Sequence, residues 1–79
     1  MIKERRKLSE LIENVHSEVL NAPITNRIQQ NKLVRGKNII IYKYWMFRNQ
    51  IKVMIWVNNK FSSMWNYDCN EHNWCLQNE

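Results

Sequence analysis

The sequence predicts an α+β fold: one N-terminal amphipathic helix packed on a three- to four-stranded antiparallel meander sheet. Three observations predict it. Apolar residues recur at three- and four-residue steps ahead of Pro23. Asn38 to Asn58 reads NIIIYKYWMFRNQIKVMIWVN, two β-branched and aromatic runs around a short polar break. Phe61 to Tyr67 returns as a further aromatic run after Asn58-Asn59-Lys60.

The helix is placed at about residues 3–21. Leu8, Leu11, Ile12, Val15, Val19 and Leu20 form one stripe, His16 lies at its margin, and Glu10, Glu13, Ser17 and Glu18 fill the other side. Pro23 ends it by disfavouring helical geometry at Ala22. Residues 29–34 read as an edge strand that enters a hairpin through Arg35-Gly36-Lys37-Asn38, where Gly36 suits a positive-φ position; a single helical turn is the alternative for residues 24–37. Strands follow at 38–47, 51–57 and 61–67. Residues 68–79 form a polar tail, a short helix or an ordered wrap, with Trp74 and Leu76 as its apolar residues.

Register follows from turn length. Ile51, Val53, Ile55 and Val57 alternate strictly. A three-residue turn at 48–50 sets Phe47 opposite Ile51, Trp45 opposite Val53, Lys43 opposite Ile55 and Ile41 opposite Val57, so the odd positions form the core. A two-residue turn would mix the faces and is set aside. Keeping parity, Phe61 faces Val57, Trp65 faces Val53 and Tyr67 faces Ile51. The other face then gathers Tyr42, Tyr44, Met46, Lys52, Met54, Trp56 and Met64.

At 79 residues the chain is one domain. A chain of this size buries only about 60–65% of its unfolded surface, so its stability is marginal. The net charge of +5 is unevenly spread. Residues 1–18 sum to zero, residues 68–79 are acidic, and residues 19–67 carry Arg27, Lys32, Arg35, Lys37, Lys43, Arg48, Lys52 and Lys60 with no acid. A purely cationic segment favours polyanionic partners; the plainer explanation is a solvated, solubilising surface. The wealth of Asn, Ile and Lys is that of an AT-rich coding sequence, which many small viral and phage proteins share. No secretory signal and no membrane-spanning run are read, which points to the cytoplasm, the host cell's if the protein is viral.

Catalytic chemistry has little support. There is one Asp, no paired-carboxylate pattern and no glycine-rich phosphate loop. Glu71 and His72 would be all that a minimal nuclease had to work with. Cys69, His72 and Cys75 are zinc-type ligands at three-residue spacing, but a structural zinc takes four ligands, and His16 or Asp68 would have to complete the set. Two reduced thiols and a surface histidine are the simpler account, so neither metal nor cofactor is expected.

Aromatics interleaved with cations on an open sheet are a means of binding single strands: bases stack while Lys and Arg neutralise phosphate. The expected contacts are Arg27, Lys32, Arg35, Lys37, Tyr42, Lys43, Tyr44, Arg48, Lys52, Trp56 and Lys60, with Arg5, Arg6 and Lys7 as a further basic contact. The competing account buries these rings in the core, the commoner fate of aromatics in a small domain. The expected function is a small, basic, non-enzymatic RNA- or nucleic-acid-binding accessory or inhibitory protein, such as a phage- or virus-encoded counter-defence factor that blocks a host nuclease or toxin with RNA bound. The alternative is a protein-interaction inhibitor or antitoxin that acts on a host protein without nucleic acid. The expected assembly is a monomer or weak homodimer that grows when RNA is added.

Overall fold

The computed structural model describes residues 2–77, with side chains from residue 8 onward. Helix α1 spans Ile2–Leu20 and five strands follow: β1 Gln29–Arg35, β2 Asn38–Phe47, β3 Gln50–Val57, β4 Lys60–Asp68 and β5 Asn73–Gln77. They form one antiparallel sheet in the order β1-β2-β3-β4-β5. The α+β meander with a helix at its start is as the sequence predicts, and the edge strand expected at 29–34 is present as β1. The difference is in the strand count: the polar tail adds a fifth, β5, rather than a helix or wrap.

The stripe on α1 docks as its spacing implies. Leu11, Val15 and Val19 are buried, while Leu8 and Leu20 at the stripe's ends stay exposed. The helix closes where Asn21 N–H donates to Ser17 O (3.2 Å) and Ala22 N–H to Val19 O (3.1 Å), just before Pro23. Beneath it lie Leu33, Ile40, Tyr42, Tyr44, Ile51, Val53 and Ile55.

The central hairpin turns in two residues. Phe47 pairs with Gln50 around Arg48 and Asn49, whose φ angles of 51° and 63° are those of a type I′ turn. This overturns the three-residue loop. Tyr42 now lies opposite Ile55, Tyr44 opposite Val53 and Met46 opposite Ile51. The core face is therefore made by even positions of β2 and odd positions of β3. Tyr42 and Tyr44 are 2% and 5% exposed, which takes them off the open face. Their rings pack 5.7 Å apart. Burial, then the nearby Glu18 carboxylate and Tyr44, raise the Tyr42 phenol above its ordinary range.

The other hairpins turn equally tightly. Gly36 has φ 62° in the two-residue β1–β2 turn, and Asn58 and Asn59 (φ 51° and 70°) make the β3–β4 turn. Two residues there would shift β4 by one place, yet Trp65 lies opposite Val53 and Tyr67 opposite Ile51, the partners expected from sequence, and Met64 lies opposite Met54 on the other face. A β-bulge reconciles these. The register slips where Ile55 pairs with Ser63 but Trp56 with Phe61, so Ser62 is the extra residue. Phe61 consequently faces Trp56 rather than Val57.

His16 joins the helix to the last two strands. Its ring stacks on Trp74 (centroids 3.9 Å apart, 8° between planes) and meets the edge of Trp65 at 4.7 Å. Its Nε2 is buried without a hydrogen-bond partner. Burial pushes the imidazole down to about 4, so it is neutral at pH 7.

Candidate nucleic-acid interface

A single helix covers one face of the sheet, and the other carries cross-strand rows set by the register. One row runs Lys32, Ile41, Trp56, Phe61; the next runs Gln30, Lys43, Met54, Met64; a third runs Trp45, Lys52, Asn66, Cys75. Phe47 and Val34–Ile39 close the two ends of the face. Val34, Ile39, Phe47 and Phe61 are each about half exposed, between 46% and 55%. Half-exposed apolar side chains therefore lie at both ends of the open face.

Cations and rings are in contact across these rows. Lys43 Nζ lies 5.5 Å from the centre of the Trp56 ring, Arg48 lies 5.2 Å from Phe47, and Lys52 Nζ lies 5.9 Å from the same Phe47. Trp56 and Phe61 meet edge to face at 5.6 Å. Among the described residues the one carboxylate on this face is Asp68, at a corner opposite Gln50, and it is engaged: its Oδ1 accepts from Asn70 N–H (2.8 Å) and Glu71 N–H (3.2 Å) to hold the β4–β5 loop.

The expected contact residues divide accordingly. Lys32, Lys43, Lys52 and Trp56 share the open face. Arg48 sits in the turn at one end of that face. Arg35, Lys37 and Lys60 ring the opposite end, at the β1–β2 and β3–β4 turns. Arg27 is exposed in the segment before β1, where its N–H donates to Thr25 Oγ1 (3.2 Å). Tyr42 and Tyr44 are beneath the helix. Arg5, Arg6 and Lys7 belong to residues whose side chains lie outside those described.

Sequence reasoning missed Trp45, Phe47 and Phe61 on this face. The signal for them was asparagine at three positions next to or inside the turns, Asn49, Asn58 and Asn59, which permits the left-handed geometry of a two-residue loop.

Chemistry of other kinds is thinly furnished. Tyr67 Oη and His72 Nδ1 are 3.3 Å apart at the β4–β5 loop. Cys69 packs against the core while Cys75 is exposed on the open-face row, and among the described residues no three His, Cys, Asp or Glu side chains come together as a metal-ligand group. Among the described residues, no helix is long and apolar enough to cross a membrane. Comparison of the chain with family models, curated proteins and solved structures gives no match.

Proposed function

We propose that this chain is a small, non-enzymatic nucleic-acid-binding protein that engages RNA or another polyanion through the open face of its sheet. One observation carries the reading: four partly exposed rings, Trp45, Phe47, Trp56 and Phe61, share that face with Lys32, Lys43 and Lys52, and the one carboxylate on it among the described residues is engaged in a loop. Rings supply stacking and ammonium groups supply phosphate contacts, the two terms that single-strand binders combine. An inhibitory or counter-defence role, with a host nuclease or toxin as the target, is the biological setting that the small basic chain and its composition suggest.

Affinity for labelled RNA should fall steeply with salt, because each neutralised phosphate releases counterion. Replacing Arg35, Lys37 and Lys43 together by Ala should flatten the slope of log affinity against log salt. No binding to RNA or DNA at low salt would refute the proposal.

The half-exposed Val34, Ile39, Phe47 and Phe61 favour a second reading, a protein-interaction inhibitor that needs no nucleic acid. Nuclease treatment separates the two: it changes the ultraviolet absorbance ratio and elution volume of purified protein only if nucleic acid was bound.

A further inference from the structure

We infer that the depression framed by Gln30, Ile41, Lys43, Trp56 and Asn59 is a subsite for one unpaired nucleobase of a single-stranded nucleic acid. The inference rests on the proposal that the open face binds nucleic acid, and it specifies the form of the ligand and the residues that hold one base.

Width argues against a duplex. Five strands about 4.8 Å apart span roughly 19 Å. The major groove of B-form DNA is about 12 Å wide and admits a two-stranded ribbon, not this sheet laid flat. A duplex would therefore meet the face through its phosphates alone and leave the rings without partners. A single strand can turn its bases onto them.

The depression has a volume of about 340 Å³, at the small end of the range of small-ligand sites. Its lining holds the three kinds of group that a base and its phosphate require. Trp56 offers a π-face, and its orientation is supported by the edge-on contact with Phe61. Gln30 and Asn59 carry amides, each able to donate to and accept from a base edge. Lys43 carries the charge for the adjoining phosphate, and among the described residues no carboxylate lines the depression.

The two neighbouring turn asparagines differ in a telling way. Asn58 is consumed by the fold: its Oδ1 accepts from Ile39 N–H (2.9 Å) and its Nδ2 donates to Asn38 Oδ1 (3.0 Å). Asn59 makes no side-chain hydrogen bond among the described residues, and neither does Gln30, so both amides are available to a ligand. In the free protein the Lys43 ammonium rests over Trp56. An entering base takes that ring face, and the ammonium swings on its flexible stem to the phosphate.

The test measures binding of homo-octamers of each base, as RNA and as DNA, beside an abasic sugar–phosphate octamer and a duplex of equal length. At least one homo-octamer should bind about 10-fold or more tightly than the abasic octamer, as expected for a stacked base, and more tightly than the duplex. Trp56→Leu should remove that advantage while leaving abasic binding unchanged, and Trp56→Phe should restore most of it. Should Trp56→Leu fail to fold, Gln30→Leu with Asn59→Gly tests the same subsite, since glycine keeps the positive-φ turn; it should weaken binding of the preferred octamer but not of the abasic one. Equal affinity for the abasic octamer or the duplex would overturn the inference while leaving a polyanion-binding protein. No binding by any of these oligomers at low salt would overturn both.

Discussion

At the scale of single residues, His16 carries the clearest dependence on pH. Its imidazole is held neutral between Trp74 and Trp65, with a buried, unpartnered Nε2. Glu13 on the same helix shares its recess with Ser9, Ile12 and Trp65. The folded pKa of about 4 lies below the unfolded value of 6.5, so the unfolded chain binds the extra proton first. Stability from this group is complete above pH 6.5 and is lost as pH falls from 6.5 toward 4. Discounted for the ring's partial exposure, the loss should be ~1–2 kcal/mol. Denaturant melts at pH 7.5 and 5 should show it, and His16→Phe, which keeps the stack, should remove most of the difference. Identical pH profiles for the two proteins would show that this histidine is not responsible. Tyr42 and Trp45 make a second residue-scale contrast. Tyr42→Ala should cost ~3–5 kcal/mol, comparable to a buried aromatic elsewhere, and unfold much of a domain with ~5–15 kcal/mol to lose. Trp45→Ala on the open face, where the ring is only partly buried, should cost less, ~1–2 kcal/mol, read by the same melts.

At the scale of elements, the helix and the first four strands were legible, while β5 and the register of the central hairpin were not. The stripe of α1 has one period and one interpretation. In β3 the alternation of Ile51, Val53 and Ile55 named the buried face correctly. In β2 both parities are apolar: Ile40, Tyr42 and Tyr44 compete with Ile39, Ile41, Trp45 and Phe47. Hydrophobicity cannot choose between them, and the length of one turn decides which tyrosines are core and which tryptophans are surface. The open face inherited that ambiguity, so its cations were identified from sequence while three of its four rings, Trp45, Phe47 and Phe61, were not. Arg48 shows what the tight turn costs, because a non-glycine residue at φ 51° is strained by ~1 kcal/mol. Arg48→Asn should recover a few tenths to 1 kcal/mol of stability, since Asn tolerates this geometry. A lower melting temperature for that variant would show that the stacking of Arg48 on Phe47 outweighs the relief. The bulge makes a sharper prediction. Deleting Ser62 leaves Phe61 opposite Trp56 and Ser63 opposite Ile55, so a folded protein with near-native melting is expected. Loss of folding would mean that the bulge's twist is needed for Trp65 to meet the helix.

At the scale of the whole molecule, one helix and one sheet leave a face open, and that face carries Lys32, Lys43 and Lys52. A homodimer through it would bring Lys32, Lys43 and Lys52 close to their own copies, which disfavours close pairing unless an anion intervenes. Nuclease-treated protein should therefore scatter light as a monomer or weak dimer at low salt and form larger assemblies on addition of RNA. A tight dimer indifferent to salt and RNA would instead assign the face to subunit contact.

The meander order also bears on how the chain reaches this structure. Every strand pairs with its neighbour in sequence, and three of the four connections are only two residues long. Closing such loops costs little chain entropy, so the sheet can begin at any of several hairpins and grow strand by strand. Docking of α1 is the step that joins residues far apart, from Val15 and Val19 to Val53 and Ile55. A sheet assembled before its helix arrives exposes apolar surface on both sides, and the interval before α1 docks is when newly made chains are most prone to aggregate.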